Sequence, residues 1–247
     1  MVDNSMHYMA RLRGQYFVHP DERKSLAYMI LIAAFILSFD KWGDTSFDAL
    51  TGLLNFLAAL IICGIGIIAH DAAHRAVAIK MGASVEHKVW FAGMIASIAI
   101  VMASRGFFKT YFFESMVMSP MRLHRMGRYP FFGTAWEYCM LYVAGPIVSL
   151  LLAGIFTAIG AAAGIHGGLI GMAIQFNLVY GLLALLPLPP LDGAWILIYS
   201  RGVYTGVFVG GLTYMLMTLA EMTGWLPIIT AILIGIASGI YWMIKHD

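Results

Sequence analysis

The chain has 247 residues, of which 61% are hydrophobic and 11% are charged. Soluble domains carry about 25% charged residues, so this chain has too little polar surface to cover itself in water. The scattered basic residues, with a net charge of +2, argue against a nucleic-acid partner, and two cysteines in apolar stretches argue against a disulfide-stapled secreted module. We therefore predict an integral membrane protein that is surrounded by the lipid bilayer.

Stretches of low charge predict, in chain order, six transmembrane helices within a single membrane domain, 1–247, of all-α polytopic fold. A helix that crosses a bilayer needs about 20 residues. A cytoplasmic N-terminal arm, 1–24, precedes the first helix, and Glu137 is expected to cap the third. The six spans are predicted near 25–41, 49–80, 134–165, 167–200, 202–220 and 222–244.

A seventh apolar stretch, Val89–Ser104, is short for a crossing and contains β-branched residues that also favour a strand. With six crossings, most basic residues, including those of Lys80–Arg128, fall on one side, and Lys41 stands beside Asp40 on the other. The positive-inside rule makes the basic side cytoplasmic, so both termini are expected in the cytoplasm and the protein in the plasma membrane. A seventh crossing would scatter these charges over both faces. Val89–Ser104 is therefore predicted to dip into the membrane without crossing it.

Two histidines stand at the end of the second predicted span, in the sequence HDAAH at His70–His74. Residues i and i+4 share one face of a helix, so both imidazoles can converge on one metal ion, with Asp71 placed as a general base. The alternative is a pair of interfacial histidines that bind water or backbone groups. Three further histidines are interpreted as interfacial: His87, His124 and His166.

The fourth predicted span contains the sequence LLPLPPLDG at Leu185–Gly193. Three prolines within four residues cannot continue a helix, because each removes a donor and clashes with a preceding carbonyl group. The chain is expected to unwind here, directly before Asp192. A broken helix is tolerated inside a membrane where it is buried in protein or lines a wet cavity. The alternative is an ordinary helix end at the membrane interface.

The six-span topology brings these two segments together. The second and fourth spans run in the same direction, with His70 about 21 residues and Asp192 about 25 residues from their starts, which gives similar depths at about 1.5 Å per residue. Two histidines and one carboxylate at one depth form the ligand set of a catalytic zinc site. The predicted metal ligands are therefore His70, His74 and Asp192.

At this point the chain resembles the site-2 protease family of intramembrane zinc metalloproteases, most closely the compact archaeal six-helix type. Three motifs and the order of the spans over roughly 53–200 carry the resemblance: HDAAH at His70–His74, AGP at Ala144–Pro146 and LLPLPPLDG at Leu185–Gly193. The resemblance implies that zinc binds the two histidines and Asp192. It also implies membrane-embedded strands in the segment after the first motif, which is Val89–Ser104 here.

The sequence departs from the family pattern at two positions. Family members have Glu after the first histidine, where this chain has Asp71, and usually an Asn eight residues before the zinc aspartate, where it has Ala184. A second Asn of that segment is retained as Asn177, which the resemblance assigns to substrate binding.

The leading prediction is an intramembrane zinc metallopeptidase. It would cleave a transmembrane-helix substrate protein near the cytoplasmic face by a metal-activated water, with Asp71 as the proton acceptor. The alternative, which the two departures favour, is a catalytically degenerate protease-like subunit with a structural or binding role in a larger membrane complex. Di-iron membrane hydroxylases need several histidine boxes, and this chain has one HxxxH pair.

Overall fold

The structure, a computed structural model, describes residues 20–43, 47–81, 83–120, 134–165, 167–220, 222 and 224–246. Most of the predicted N-terminal arm, together with His124 and His166, lies outside these residues. The described chain contains eight helices and one two-stranded sheet. In order they are α1 (Pro20–Ser38), α2 (Ala49–Met81), β1 (Ala83–Val89), α3 (Phe91–Ala103), β2 (Glu114–Pro120), α4 (Ala135–Ala163), α5 (Gly168–Ala184), α6 (Asp192–Tyr199), α7 (Arg201–Leu219) and α8 (Leu226–His246).

Four of the described helices, α2, α4, α7 and α8, are long and apolar enough to cross a membrane. This agrees with the prediction of a mainly helical membrane protein. The α1 helix has 19 residues but begins with the charged sequence PDERK, and α5 has 17 residues. Two of the six predicted crossings, the first and the fourth, therefore fall on helices outside this group of four.

Large apolar side chains are exposed on the outer faces of α2 and α8. On α2 they recur every three or four residues and so form one continuous stripe. Soluble proteins rarely expose apolar patches of this size, so both faces are suited to contact lipid. The exposed side chains include Leu53, Leu57, Ile61, Ile65 and Ile68 on α2, and Ile229, Leu233, Ile236 and Ile240 on α8.

The α2 helix begins with a side-chain cap. The carboxylate of Asp48 accepts hydrogen bonds from the Thr51 hydroxyl at 2.6 Å and from the Leu50 amide at 3.0 Å, which satisfies a donor of the first turn. The same hydrogen bonds, that of the Thr51 hydroxyl above all, lower the pKa of Asp48. From there the helix continues for 33 residues to Met81, so it carries both histidines of the HDAAH motif in its last turns.

The two strands form an antiparallel pair directly after α2. The register runs from Ala83 opposite Pro120 to Val89 opposite Glu114. Burial alternates along β1, where Val85 is buried and Glu86 is exposed, as expected for a strand with one covered face. Glu114 therefore lies at the end of the ladder where β2 begins.

The predicted membrane-dipping segment Val89–Ser104 is a helix rather than a strand. Thirteen of its residues form α3, and the strands flank the segment, with β1 ending at Val89 and β2 beginning only at Glu114. The expectation of strands within Val89–Ser104 is therefore wrong. A helix satisfies its own backbone groups in an apolar environment, whereas a strand there would need partners along both edges. Gly93 permits the close packing, since a Cβ atom at this position would lie 2.2 Å from the Phe112 carbonyl oxygen.

The chain turns back after α3 and returns to the sheet. Arg105 and Gly106 make the turn with φ of 52° and 86°, and the Lys109 ammonium then donates to Asp40 at 2.7 Å and to the Leu37 carbonyl at 3.2 Å. The charge pattern predicted Asp40 and the segment after Lys80 on opposite sides of the membrane. The structure places this turn beside Asp40, because the partly exposed Asp40 carboxylate compensates the charge of the buried Lys109 ammonium. Residues 89–113 thus form a hairpin that starts and ends at the sheet.

The third and fourth predicted spans have well-defined ends. Thr134 and Glu137 form a capping box at the start of α4, which confirms the predicted cap. The α5 helix ends at Ala184 and the next helix begins at Asp192, so the chain leaves the helix over the proline-rich segment as predicted. A Cβ atom at Gly193 would lie 2.0 Å from the Leu185 carbonyl oxygen, so the segment folds back closely on itself.

The last two helices form a hairpin in which glycines face each other. A Cβ atom at Gly206 of α7 would lie 3.1 Å from the Gly235 carbonyl oxygen of α8, and a Cβ atom at Gly235 would lie 2.8 Å from that of Gly206. Small residues spaced by four allow two membrane helices to approach closely. Gly202, Gly210 and Gly239 continue these two facing rows.

Candidate metal centre

Two imidazoles of α2 are oriented by groups of α4. The side chains of His70 and His74 are fully buried, with ring centroids 4.9 Å apart. Nδ1 of His74 donates to the Leu141 carbonyl at 2.8 Å, and Nδ1 of His70 lies 2.9 Å from the Ser149 hydroxyl. Such a contact fixes the ring and leaves the other nitrogen available as a metal ligand. Both Nε2 atoms therefore face the same point.

Asp192 completes this group from the start of α6. Its Oδ2 atom lies 3.4 Å from Nε2 of His70 and 3.3 Å from Nε2 of His74. Two ligands at about 2.0–2.1 Å from a tetrahedral zinc ion are about 3.3 Å apart, so the distances match. Nε2 of His74 is buried and forms no hydrogen bond. Three buried donors that could hold one metal ion are thus assembled, as the sequence predicted.

Gly145 of the AGP motif leaves the space between the imidazoles open. A Cβ atom at this position would lie 2.2 Å from Nε2 of His74 and 2.4 Å from Nε2 of His70. These distances are close to a zinc–nitrogen bond of about 2.0–2.1 Å, so a side chain here would occupy the metal position. The residues therefore fit a zinc ion. The AGP motif needs glycine at this position because any side chain would fill the space for the metal.

Asp71 lies outside this group of donors. Both oxygens of its carboxylate accept from the single Nε–H of Arg75, at 3.0 and 2.8 Å, and the carboxylate also contacts Nδ1 of His87. Consecutive helical residues point about 100° apart, so Asp71 faces the sheet and α1 while His70 faces α4. Glu22 of α1 joins this second buried cluster through the Arg75 guanidinium and the backbone N–H of His87. Glu22, Asp71 and His87 form a second group that could hold a metal ion, but the Arg75 guanidinium already lies against both of its carboxylates.

Sequence reasoning missed Glu114, the first residue of β2. Its Oε2 atom lies 3.9 Å from Nε2 of His70 and accepts a hydrogen bond from the Tyr180 hydroxyl, and its Oε1 atom lies 3.2 Å from Nε2 of His87. The signal was present, since Glu114 is the sole acidic residue between Glu86 and Glu137. An acid in a segment predicted to enter the membrane is a functional candidate by default.

His87 is buried and does not lie at an interface. Its side chain is 0% exposed, so the interfacial interpretation of this residue is wrong. The alternation of β1 turns it towards α2, where its two ring nitrogens contact Asp71 and Glu114. His87 therefore joins the second cluster to the candidate metal centre.

A small cavity adjoins Glu114 and Asp192. Its volume of about 10 Å³ is enough for about one water molecule. The Tyr111 hydroxyl in its wall is buried without a hydrogen-bond partner. The remaining lining residues include Met116, Tyr180, Ala184, Pro190 and Leu191.

The two positions of the predicted substrate-binding amides differ in their surroundings. Ala184 lines the cavity beside Asp192. Asn177 is fully buried between α5 and α2, where its Nδ2 donates to the Ala173 carbonyl at 2.8 Å and its Oδ1 lies 2.7 Å from the Cβ position of Gly66. Asn177 thus belongs to a helix contact, and substrate binding by this residue stays a prediction.

Comparisons with known proteins give one informative similarity. The chain is 28% identical over 194 residues, which is 77% of this chain and 91% of the other, to a protein of Methanocaldococcus jannaschii named "Putative zinc metalloprotease MJ0611". No protein-family model matches the chain. No solved structure matches it either.

Proposed function

We propose that this chain is an intramembrane zinc metallopeptidase of the site-2 protease type, which cleaves transmembrane helices near the cytoplasmic face. The observation that carries the proposal is the convergence of His70, His74 and Asp192 at tetrahedral spacing around the space that Gly145 leaves open. The similarity to a protein named as a zinc metalloprotease supports the same chemistry. Zinc bound there would polarise the scissile carbonyl group and lower the pKa of a bound water to about 7.

The membrane arrangement that we propose has six crossings, with both termini in the cytoplasm and the protein in the plasma membrane. The contact of Glu22 with Arg75 brings the start of α1 to the end of α2, so these helices run antiparallel. Gly202 at the start of α7 packs against Met243 near the end of α8, which makes the last pair antiparallel too. The broken α5–α6 segment makes the fourth crossing, and the hairpin of residues 89–113 enters and leaves from the side of the sheet.

The proposed substrate is a transmembrane helix that unwinds where it meets the sheet. An extended peptide can add to a sheet edge, where backbone hydrogen bonds replace those of the lost helix. Within the described residues β2 pairs with β1 alone, so its other edge is available. A peptide along that edge would pass Glu114 and the small cavity beside Asp192.

The alternative of a degenerate subunit in a larger membrane complex is favoured by one observation. Asp71, at the position of the family's catalytic acid, is held by Arg75 and His87 in the second cluster. A carboxylate engaged in this way is not oriented towards a water at the metal ligands. In such a subunit zinc would have a structural role.

The test uses the full chain in detergent, purified without chelators. Zinc content is measured by elemental analysis, and cleavage is measured on a transmembrane-helix reporter in liposomes. We expect one zinc per chain and cleavage in the wild type, and the loss of both in His74→Ala. Cys63→Ala is the control, since Cys63 is a buried thiol of the same helix outside the donor group. Bound zinc without cleavage of several reporters would favour the structural subunit. Absence of bound zinc would refute both the peptidase and the subunit with structural zinc.

A further inference from the structure

We infer that Glu114 of β2, and not Asp71, accepts the proton of the attacking water, and that Asp71 and His87 position Glu114. This inference rests on the proposed function. It identifies a catalytic carboxylate that lies 43 residues beyond Asp71 in the chain and belongs to the strand along which the substrate is proposed to bind.

The position of the carboxylate supports this role. Oε2 of Glu114 lies 3.9 Å from Nε2 of His70 and faces the same cavity as Asp192. The side chain is 13% exposed, so it can reach a water that enters the cavity. Glu114 lies outside the group of three donors that could hold a metal ion, which leaves it adjacent to the metal ligands and available to bind water.

The partners of Glu114 leave one acceptor direction open. The Tyr180 hydroxyl donates to Oε2, and a carboxylate oxygen can accept more than one hydrogen bond. Oε1 lies beside Nε2 of His87, whose other nitrogen contacts Asp71. Asp71 in turn is held by the Nε–H of Arg75, which both of its carboxylate oxygens share. The contacts that run from Arg75 through Asp71 to His87 therefore hold the Glu114 carboxylate in place.

The proposed step is hydrolysis of one peptide bond by one water. The water oxygen bonds to the carbonyl carbon while its proton passes to Oε2 of Glu114. Glu114 then gives that proton to the amide nitrogen as the C–N bond breaks. The immediate products are a carboxylic acid and an amine, whose proton exchange gives a carboxylate and an ammonium group, and Glu114 returns to its ionised form without any further reactant.

The experiment compares Glu114→Gln with Asp71→Asn and with Glu86→Gln as the matched control, because Glu86 is an exposed acid of the neighbouring strand. Three quantities are measured on the full chain: zinc content, cleavage of the transmembrane reporter, and affinity of the cobalt-loaded protein for acetohydroxamic acid, read from the visible spectrum. A hydroxamic acid loses a proton when it chelates a metal, so its affinity reports on a nearby proton acceptor even where no peptide is cleaved.

We expect Glu114→Gln to keep one zinc per chain, to lose cleavage by about 100-fold or more in kcat, and to bind acetohydroxamic acid about tenfold more weakly or worse. Asp71→Asn should keep zinc and show a smaller loss than Glu114→Gln in both hydroxamate affinity and kcat, because it weakens the positioning of the Glu114 carboxylate without removing it. Glu86→Gln should match the wild type in all three measurements. Glu114→Asp should recover part of the lost activity, because it restores a carboxylate at the same position.

Three outcomes would overturn the inference: loss of zinc in Glu114→Gln, unchanged hydroxamate affinity in that variant, or a larger loss of cleavage in Asp71→Asn than in Glu114→Gln. Failure of the proposed function looks different. If the wild type cleaves no reporter but Glu114→Gln alone weakens hydroxamate binding, the peptidase proposal fails, while Glu114 remains the proton acceptor beside the metal ligands. A melting curve for each variant separates unfolding from loss of the carboxylate.

Discussion

Replacing Gly145 with alanine tests whether the space between the imidazoles is the metal position. The added Cβ atom would lie 2.2 Å from Nε2 of His74 and 2.4 Å from Nε2 of His70, whereas non-bonded carbon and nitrogen atoms need about 3.5 Å. Each ring must move away from the added Cβ atom by about 1 Å, or the metal ion can no longer bind. Alanine stabilises a helix by about 1 kcal/mol relative to glycine, so the substitution should not destabilise α4.

We expect Gly145→Ala to bind zinc at least about 100-fold more weakly, which corresponds to about 2.7 kcal/mol. Zinc affinity is measured by competition with a chromogenic chelator. As a second measurement, a melting curve with added zinc should show the ligand-induced stabilisation of the wild type and none in the variant. Gly154→Ala is the matched control, since it lies on the same helix and its Cβ atom would meet Ile228 at an ordinary 3.9 Å. Wild-type zinc affinity in Gly145→Ala would refute the placement of the metal between the two histidines.

Two further predictions concern the second cluster and the cavity. Glu22→Gln should lower the free energy of unfolding in detergent by about 1–3 kcal/mol, because the buried Arg75 guanidinium then keeps only Asp71 as a charged partner. The control Glu86→Gln, at an exposed position, should change the free energy of unfolding by less than about 0.5 kcal/mol. Equal effects of the two substitutions would contradict the role of the ion pair. Ala184→Asn should raise kcat/KM on the reporter by about tenfold or more, because it places an amide donor beside Asp192 in the cavity. An unchanged or lower kcat/KM at constant zinc content would show that a missing amide does not limit the reaction.

The convergence of the three candidate metal ligands could be predicted because each depends on a local rule. The i, i+4 spacing of His70 and His74 places both imidazoles on one helix face, and the prolines before Asp192 require the helix to end where it does. The cap of α4 by Glu137 follows from the capping-box pattern in the same way. The six-span topology then predicted that the two segments lie at a common depth.

The features that were missed depend on pairings distant in sequence. Glu114 and His87 enter the site only because β1 and β2 pair in one particular register, which no local pattern around either residue specifies. The contact of Lys109 with Asp40 escaped the charge argument because the positive-inside rule applies to loops in water, and this lysine is buried. The pattern that indicated a strand over Val89–Ser104 failed because a helix satisfies its own backbone in lipid.

The facing glycines of α7 and α8 set how close the two helices come, but they do not set how the helices are aligned along their length. Because the small residues recur every four positions, sliding one helix by about one turn, or about 6 Å, brings glycine opposite glycine again. Two contacts that do not repeat lie at the ends of the pair: Met243 against Gly202, and the Thr230 hydroxyl 2.6 Å from the Met217 sulfur. The alignment of this hairpin is therefore encoded by flexible side chains at its two ends, and its spacing by the rigid backbone in between.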